Sequence, residues 1–165
     1  MKNLILVRHA KSDWNTPSLS DFERPLNERG KRDAPVMVKR LLDKKIKIDA
    51  FVSSPAKRAK RTASIFAKEY HSDKDKIIFQ EDLYAAPAEV FYDVIGKLDD
   101  RFDTVAVFSH NPGITEFANS LTDVRIDNIP TCGIFAVKLK AKSWADFKKT
   151  EKEFWFTDYP KAEHG

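Results

Sequence analysis

The amino-acid sequence predicts an α/β fold with three layers, in which helices cover both faces of a central, mostly parallel sheet. Short aliphatic runs at residues 4–7, 49–53 and 104–108 are typical of strands that are buried on both faces. A segment with apolar residues at helical spacing follows each run. This alternation favours parallel strands, because a parallel connection needs a crossover that is long enough to hold a helix.

The first strand ends abruptly in Arg8 and His9. In an open α/β sheet, ligands bind at the carboxyl ends of the strands, so both side chains are candidates for a functional site. An imidazole serves as a nucleophile, a base or a metal ligand. A guanidinium beside it opposes a cation and favours an oxyanion such as phosphate, which makes metal binding the weaker interpretation. The alternative without function is a surface histidine at a strand end.

A polar segment that contains prolines, residues 16–25, follows the first strand and predicts a loop that flanks the site. Asn27 has the side chain of a helix N-cap, and apolar residues at helical spacing continue to Leu42. Pro35 lies inside this pattern, so the helix either bends there or begins late.

The second strand, residues 49–53, leads into a strong helix start, with Ser54 as the expected N-cap and Pro55 at the first helical position. Arg58 then lies in the first turn, where its charge adds to the positive end of the helix dipole and favours an anion. The inward face of this helix is predicted to comprise Ala59, Thr62, Ala63, Phe66 and Tyr70. The neighbouring cations are predicted to be solvated: Lys57, Lys60 and Arg61.

The remaining strands follow the same pattern. A third strand is predicted at residues 77–79, and the Glu81 and Asp82 that follow it are candidates for a general acid, although exposed loop charges are equally expected there. The strand at 104–108 precedes a second histidine, His110, and a helix. The last pair of strands, at 133–139 and 153–156, predicts an antiparallel hairpin at the sheet edge.

The composition fits a single domain over residues 1–165, with 42% hydrophobic and 33% charged residues and five glycines. No apolar run is long enough to cross a membrane, and Arg8 interrupts the first run too early for a signal peptide, so a cytoplasmic protein is expected. The single cysteine, Cys132, permits no internal disulfide, which fits a reducing compartment. The net charge of +4 comes from scattered lysines, which predicts a solvated surface rather than a nucleic-acid groove.

Two histidines and two arginines thus follow the ends of three strands. Their side chains converge if the strands are parallel and joined by the usual right-handed connections of an α/β sheet. Zinc normally takes three or four ligands from histidine, cysteine and carboxylates, and the arginines would oppose that ion. Phosphate suits the charges better. The converging residues are Arg8, His9, Arg58 and His110.

Several blocks of the sequence resemble a known family. Residues 8–15, Arg-His-Ala-Lys-Ser-Asp-Trp-Asn, resemble the R-H-G-x-S-x-W-N signature of the histidine phosphatase, or phosphoglycerate mutase-like, superfamily. Residues 54–63 match its S-P-x-x-R-A-x-x-T-A block, and residues 109–113 match its G/S-H-N-P-G block. Residues 24–30 and 83–86 resemble the short SixA-type phosphohistidine phosphatase branch. The blocks occur in the expected order over nearly the whole chain.

The resemblance implies a phosphoglycerate mutase-like fold and a phosphatase that needs no metal and no cofactor. His9 would be the nucleophile, which takes the phosphoryl group as a covalent phosphohistidine before water hydrolyses it. His110 would donate to a phosphate oxygen, while Arg8 and Arg58 would bind the other oxygens. Further substrate contacts are expected from Asn15, Arg24 and Ser12.

Two departures from the family pattern bear on the activity. Ala10 replaces the usual glycine, and the glutamate that larger members use as proton donor has no clear counterpart, which leaves Glu81 and Asp82 as candidates. The chain lacks the insertions that build a closed sugar-phosphate pocket in larger members. This favours an open site for protein phosphohistidine or a small phosphate ester, and neither nucleic acid nor a membrane is an expected partner. The alternatives are a small-metabolite phosphatase or mutase-like enzyme for sugars or nucleotides, and a catalytically silent phosphate-binding domain.

Overall fold

The computed structural model describes residues 1–15 and 17–161, and strands alternate with helices along this part of the chain. The strands are β1 (Lys2–Arg8), β2 (Ala50–Ser53), β3 (Ile78–Phe79), β4 (Thr104–Ser109), β5 (Ile134–Leu139) and β6 (Lys152–Asp158). The α-helices are α1 (Glu28–Asp43), α2 (Lys57–Glu69), α3 (Ala88–Gly96) and α4 (Gly113–Leu121). Short 3₁₀ helices lie at Asp21–Glu23, Lys74–Lys76, Glu81–Leu83 and Trp144–Asp146.

The strands form one mixed sheet in the order β3-β2-β4-β1-β5-β6. The first four strands of the chain pair in parallel, whereas β5 runs antiparallel to both β1 and β6. The predicted mostly parallel α/β sheet and the antiparallel hairpin at its edge are therefore confirmed.

Alternating side chains of β1 divide the interior into two apolar cores. Leu4 and Leu6 belong to the core that contains Phe91 of α3 and Phe117 of α4. Their neighbours in the strand face the opposite core, which contains Met37 of α1. Since successive side chains of a strand point to opposite faces, one aliphatic run serves both cores and gives the three predicted layers.

The start of α1 is as the sequence predicts. The Asn27 side chain accepts a hydrogen bond from the backbone N–H of Gly30 at 2.9 Å, which is the geometry of an N-cap. The helix begins at Glu28 and continues past Pro35, so the alternative of a late start is wrong.

The predicted start of α2 at Ser54 and Pro55 is wrong, because the helix begins at Lys57. The Ser54 hydroxyl accepts from the backbone N–H of Ala56 at 3.3 Å and lies 2.7 Å from Nε2 of His110. This residue therefore forms a turn between sheet and helix and contacts a histidine across the sheet end. The predicted inward face of α2 is confirmed by the burial of Ala59, Thr62, Ala63 and Phe66, with Tyr70 partly buried.

Within residues 1–15 and 17–161, no helix combines the length and apolar character that crossing a membrane requires.

Candidate active site

The carboxyl ends of three neighbouring strands enclose a cavity of about 340 Å³. Strand β4 lies between β1 and β2, and the pairing of Arg8 with Ser109 and of Ser53 with Phe108 brings the three ends level. The expected convergence is therefore present, since Arg8, His9, Arg58 and His110 all line this cavity. The other lining residues are Lys11, Ser12, Trp14, Asp21, Arg24, Tyr84, Ala85, Asn111 and Thr131.

Hydrogen bonds define the protonation of the His9 ring. Arg58 Nε–H donates to His9 Nε2 at 3.3 Å, and a guanidinium can only donate, so Nε2 carries the lone pair. The proton is then on Nδ1, which donates to the Ala10 carbonyl at 2.8 Å. Burial lowers the pKa of His9 to about 3, and the positive charges of Arg58 and Arg8 act in the same direction. The ring is thus neutral near pH 7, with an unprotonated nitrogen available to act as a nucleophile.

Ala10 replaces the family's glycine without backbone strain. Its φ is not in the left-handed region, and its N–H donates to Thr62 Oγ1 at 3.0 Å. The Thr62 hydroxyl in turn donates to the carbonyl of Arg58 at 2.8 Å. One threonine of α2 therefore connects the backbone beside His9 to the helix turn that carries Arg58.

The buried guanidinium of Arg58 is held from two sides. Besides its contact with His9, it donates through Nη1 to the Asp21 carbonyl at 2.6 Å and through Nη2 to Asp21 Oδ2 at 3.0 Å. These bonds fix the planar group at the nucleophile. A phosphoryl group that enters the cavity would compete with the Asp21 carboxylate for the same donors.

Asp21 was not singled out from the sequence, although the loop that carries it was expected to flank the site. Tyr84 O–H donates to Asp21 Oδ2 at 2.6 Å, and Arg24 donates to Oδ1 through Nε at 3.1 Å and Nη2 at 2.9 Å. The hydrogen bond from Tyr84, followed by the two arginines, holds the pKa of Asp21 well below its usual range. This carboxyl is therefore ionised at neutral pH and is a poor proton donor.

Of the three expected substrate contacts, the structure brings Arg24 and Ser12 to the cavity. Arg24 is buried, donates to the Ser12 hydroxyl and lies 3.4 Å over the Trp14 ring. Ser12 therefore supports the arginine directly. Asn15 is exposed and lies outside the set of described lining residues, and its backbone N–H donates to the Asp13 carboxylate at 2.7 Å.

Two buried nitrogen atoms at this cavity, His110 Nδ1 and Arg8 Nε, lack a hydrogen-bond partner within residues 1–15 and 17–161. The other ring nitrogen of His110, Nε2, contacts the Ser54 hydroxyl. With this hydroxyl as the donor, Nε2 carries the lone pair and the ring proton lies on Nδ1. Burial lowers the pKa of His110 to about 3, and Arg58 adds to this effect. A buried, unpaired polar group costs about 1–3 kcal/mol, so an acceptor such as a phosphoryl oxygen would be stabilising here.

The structure does not bring Glu81 and Asp82 to the cavity. Both are exposed and absent from its lining, and Asp82 lines a different cavity. Leu83 is the buried residue of their 3₁₀ helix, and its carbonyl accepts from Ser109 Oγ at 2.8 Å. This anchor places Tyr84, rather than either acid, beside His110, with ring centroids 5.6 Å apart.

The charges of the lining favour an anion. Four cations, Arg8, Lys11, Arg24 and Arg58, line the cavity, and Asp21 is the one acid in the lining that the described residues provide. Within the same residues, no three histidine, cysteine or acidic side chains are grouped so that they could hold a metal ion. The donors therefore suit a phosphoryl group.

Comparison with known proteins agrees with this chemistry. The family model of the histidine phosphatase superfamily (branch 1) matches residues 4–84, which include His9 and Arg58. An uncharacterized protein of Mycobacterium tuberculosis is 30% identical over 151 residues, or 85% of this chain and 90% of that protein. The chain belongs to the histidine phosphatase superfamily.

Solved structures show the same fold as this histidine phosphatase family member. A SixA protein from Agrobacterium tumefaciens superposes with a TM-score of 0.79 at 22% identity, over 96% of this chain and 98% of that one. The protein histidine phosphatase SixA, solved with tungstate, has a TM-score of 0.81 at 19% identity, over 96% and 97% of the two chains. The phosphoglycerate mutase-like fold implied by the sequence motifs is confirmed.

The free energy of unfolding is expected to depend on pH because of His9 and His110. The unfolded chain takes up protons on His9 and His110 below the ordinary pKa of 6.5, whereas in the folded protein the pKa of each is lowered to about 3. The unfolded state therefore binds more protons between these values, and the free energy of unfolding falls as the pH falls from 6.5. The expected loss at pH 5 is about 2 kcal/mol per histidine.

Urea unfolding at pH 7 and pH 5 measures this loss. The control is the double variant His9→Gln, His110→Gln, which lacks both titrating groups and should lose much less stability over the same interval. Equal losses in the two proteins would contradict the assignment of neutral, buried imidazoles.

Proposed function

We propose that this histidine phosphatase hydrolyses phosphohistidine through a covalent phosphohistidine intermediate on His9, without a metal ion. The observation that carries the proposal is the neutral His9 ring, whose Nε2 lone pair lies in a cavity lined by four cations. We assign this activity to a single domain over residues 1–165. The cytoplasm is the proposed compartment, since the one cysteine permits no internal disulfide.

In the first step, the hydrogen bond from Arg58 Nε–H to His9 Nε2 breaks, and the freed lone pair of Nε2 attacks the phosphorus atom of the substrate. The P–Nε2 bond forms as the P–N bond of the substrate breaks, and the departing imidazole takes a proton from solvent. Arg8, Arg58 and His110 bind the phosphoryl oxygens and stabilise the charge that spreads over them in the transition state. The Ala10 carbonyl retains its hydrogen bond to Nδ1–H and stabilises the positive charge of the phosphorylated ring.

In the second step, water attacks the phosphorus atom and the P–Nε2 bond breaks. The proton of the water is lost to solvent or to the departing phosphate, and His9 returns to its neutral form. The arginines supply the positive charge that a metal ion supplies in other phosphatases, which supports a metal-independent reaction.

We choose the substrate class from whether the site has a general acid that can protonate the leaving group. An alkoxide leaving group needs an acid, because its pKa is too high for it to leave unprotonated. Asp21 is held ionised, and Glu81 and Asp82 lie outside the lining of the cavity. A departing imidazole is protonated near neutral pH and needs no such acid, so these observations favour phosphohistidine over alkyl phosphates.

Steady-state assays in the presence of EDTA test the proposal. We expect kcat/KM to be higher for a phosphohistidine peptide and for p-nitrophenyl phosphate than for phosphoserine or a sugar phosphate. The double variant Glu81→Gln, Asp82→Asn should retain nearly full turnover of p-nitrophenyl phosphate, because neither residue lines the cavity. A higher kcat/KM for phosphoserine or a sugar phosphate would instead favour a small-metabolite phosphatase, and loss of all turnover in the double variant would make one of these residues the acid.

A further inference from the structure

A second concave surface, of about 670 Å³, lies next to the proposed active site. Five cations from α1, α2 and the 3₁₀ helix Lys74–Lys76 line it, and we call this surface the basic groove. Its defining residues are Lys31, Lys57, Lys60, Arg61 and Lys74.

The basic groove carries a large excess of positive charge. Glu23 is the one acid in its described lining. Lys31 forms an exposed ion pair with Glu28 at 3.6 Å, which contributes little, and the other four cations have no ion pair among the residues that the structure describes. Like charges held on one concave surface repel each other, so an acidic ligand would be attracted and bound there.

The groove and the proposed active site share a wall. Phe22 lines the groove and directly follows Asp21, which lines the catalytic cavity. The Phe22 ring also packs edge-on against Tyr84, with centroids 5.2 Å apart. On α2, Lys57 of the groove directly precedes Arg58. The cavity and the groove are therefore neighbours, and a polypeptide with its phosphoryl group in the cavity would cross this wall to reach the groove.

We propose that the basic groove binds an acidic segment of the protein that carries the phosphohistidine. This inference rests on the proposed function, which makes the substrate side chain part of a polypeptide. The groove also has apolar lining from Phe22, Pro25, Leu26 and Pro55, which suits the aliphatic parts of peptide side chains, while its cations suit their carboxylates. The groove thus selects among phosphohistidine proteins, while the cavity performs the chemistry.

The test uses three substrates: free phosphohistidine, a phosphohistidine peptide with a glutamate tract, and the same peptide with glutamine in place of each glutamate. The tract is placed at several distances from the phosphohistidine, so that one of them matches the span from cavity to groove. We expect KM for the best acidic peptide to be about tenfold lower than for its glutamine counterpart.

The variant Lys57→Gln, Lys60→Gln, Arg61→Gln should remove this difference and leave kcat/KM for p-nitrophenyl phosphate unchanged. The matched control is Lys39→Gln, Lys140→Gln, Lys142→Gln, which removes the same charge from exposed positions outside the groove and should keep the difference. Thermal unfolding of both variants identifies any loss of folding.

The outcomes separate the two proposals. If neither free phosphohistidine nor either peptide is hydrolysed, the proposed function is wrong. If the peptides are hydrolysed but the acidic and glutamine peptides have equal KM values, or the control variant removes the difference as well, the groove proposal is wrong. A single-stranded RNA that competes with the acidic peptide more strongly than polyglutamate does would overturn it in favour of a nucleic-acid surface.

Discussion

His9→Ala is expected to lower kcat for p-nitrophenyl phosphate by about 10⁴–10⁶-fold, the range seen when single residues of a nucleophilic catalytic unit are removed. The reason is that Nε2 of His9 is the unprotonated nitrogen that Arg58 orients in the cavity. Without it, water must attack the substrate directly. Steady-state kinetics measures the loss, and wild-type turnover in the variant would contradict the assigned mechanism.

The same variant, His9→Ala, distinguishes phosphate binding from the chemical step. Arg8, Arg58 and His110 remain in His9→Ala, so calorimetry should show that inorganic phosphate still binds with an affinity near that of the wild type. His110→Ala is the comparison, since it removes a donor to the phosphoryl group and leaves the nucleophile. Its expected loss in kcat is smaller, about 10²–10³-fold.

Arg58→Ala is expected to lower kcat/KM by about 10²–10³-fold, or about 3–4 kcal/mol of transition-state stabilisation. The substitution removes the donor at His9 Nε2 and two of the hydrogen bonds that hold Asp21 at the cavity. The hydrogen bonds from Tyr84 and Arg24 to Asp21 remain. Arg58→Lys should restore only part of the activity, because an ammonium group cannot reproduce the planar fork.

Arg61→Ala is the matched control for Arg58→Ala. Arg61 lies three residues further along α2, is exposed and does not line the catalytic cavity, so turnover of p-nitrophenyl phosphate should change little. Equal losses at the two positions would mean that the phosphoryl group binds elsewhere.

The sequence predicted the arrangement of the proposed site well where local patterns determine it. Aliphatic runs identified the strands, and residues that follow strand ends in parallel units meet at one edge of the sheet. Arg8, His9, Arg58 and His110 could therefore be grouped before their positions were known. The strand order, with β4 between β1 and β2, was not predicted, because pairing between distant segments leaves no local signal.

The remaining features depend on contacts between distant parts of the chain. Asp21 meets Arg58 across 37 positions and Tyr84 across 63, so no spacing in the sequence indicates this network. Ser54 has the residue type of an N-cap, but its hydroxyl contacts His110, and the helix starts later. Glu81 and Asp82 follow a strand as expected, yet the burial of Leu83 leaves both exposed.

Covalent catalysis by His9 can be tested by rapid quenching of a reaction with a radiolabelled phosphoryl substrate. We expect transient label on His9, as a phosphoramidate that is labile in acid and stable in alkali, and no label in His9→Ala. Acid-stable label on another side chain, or hydrolysis by the wild type with no labelled protein at any time, would contradict covalent catalysis by His9.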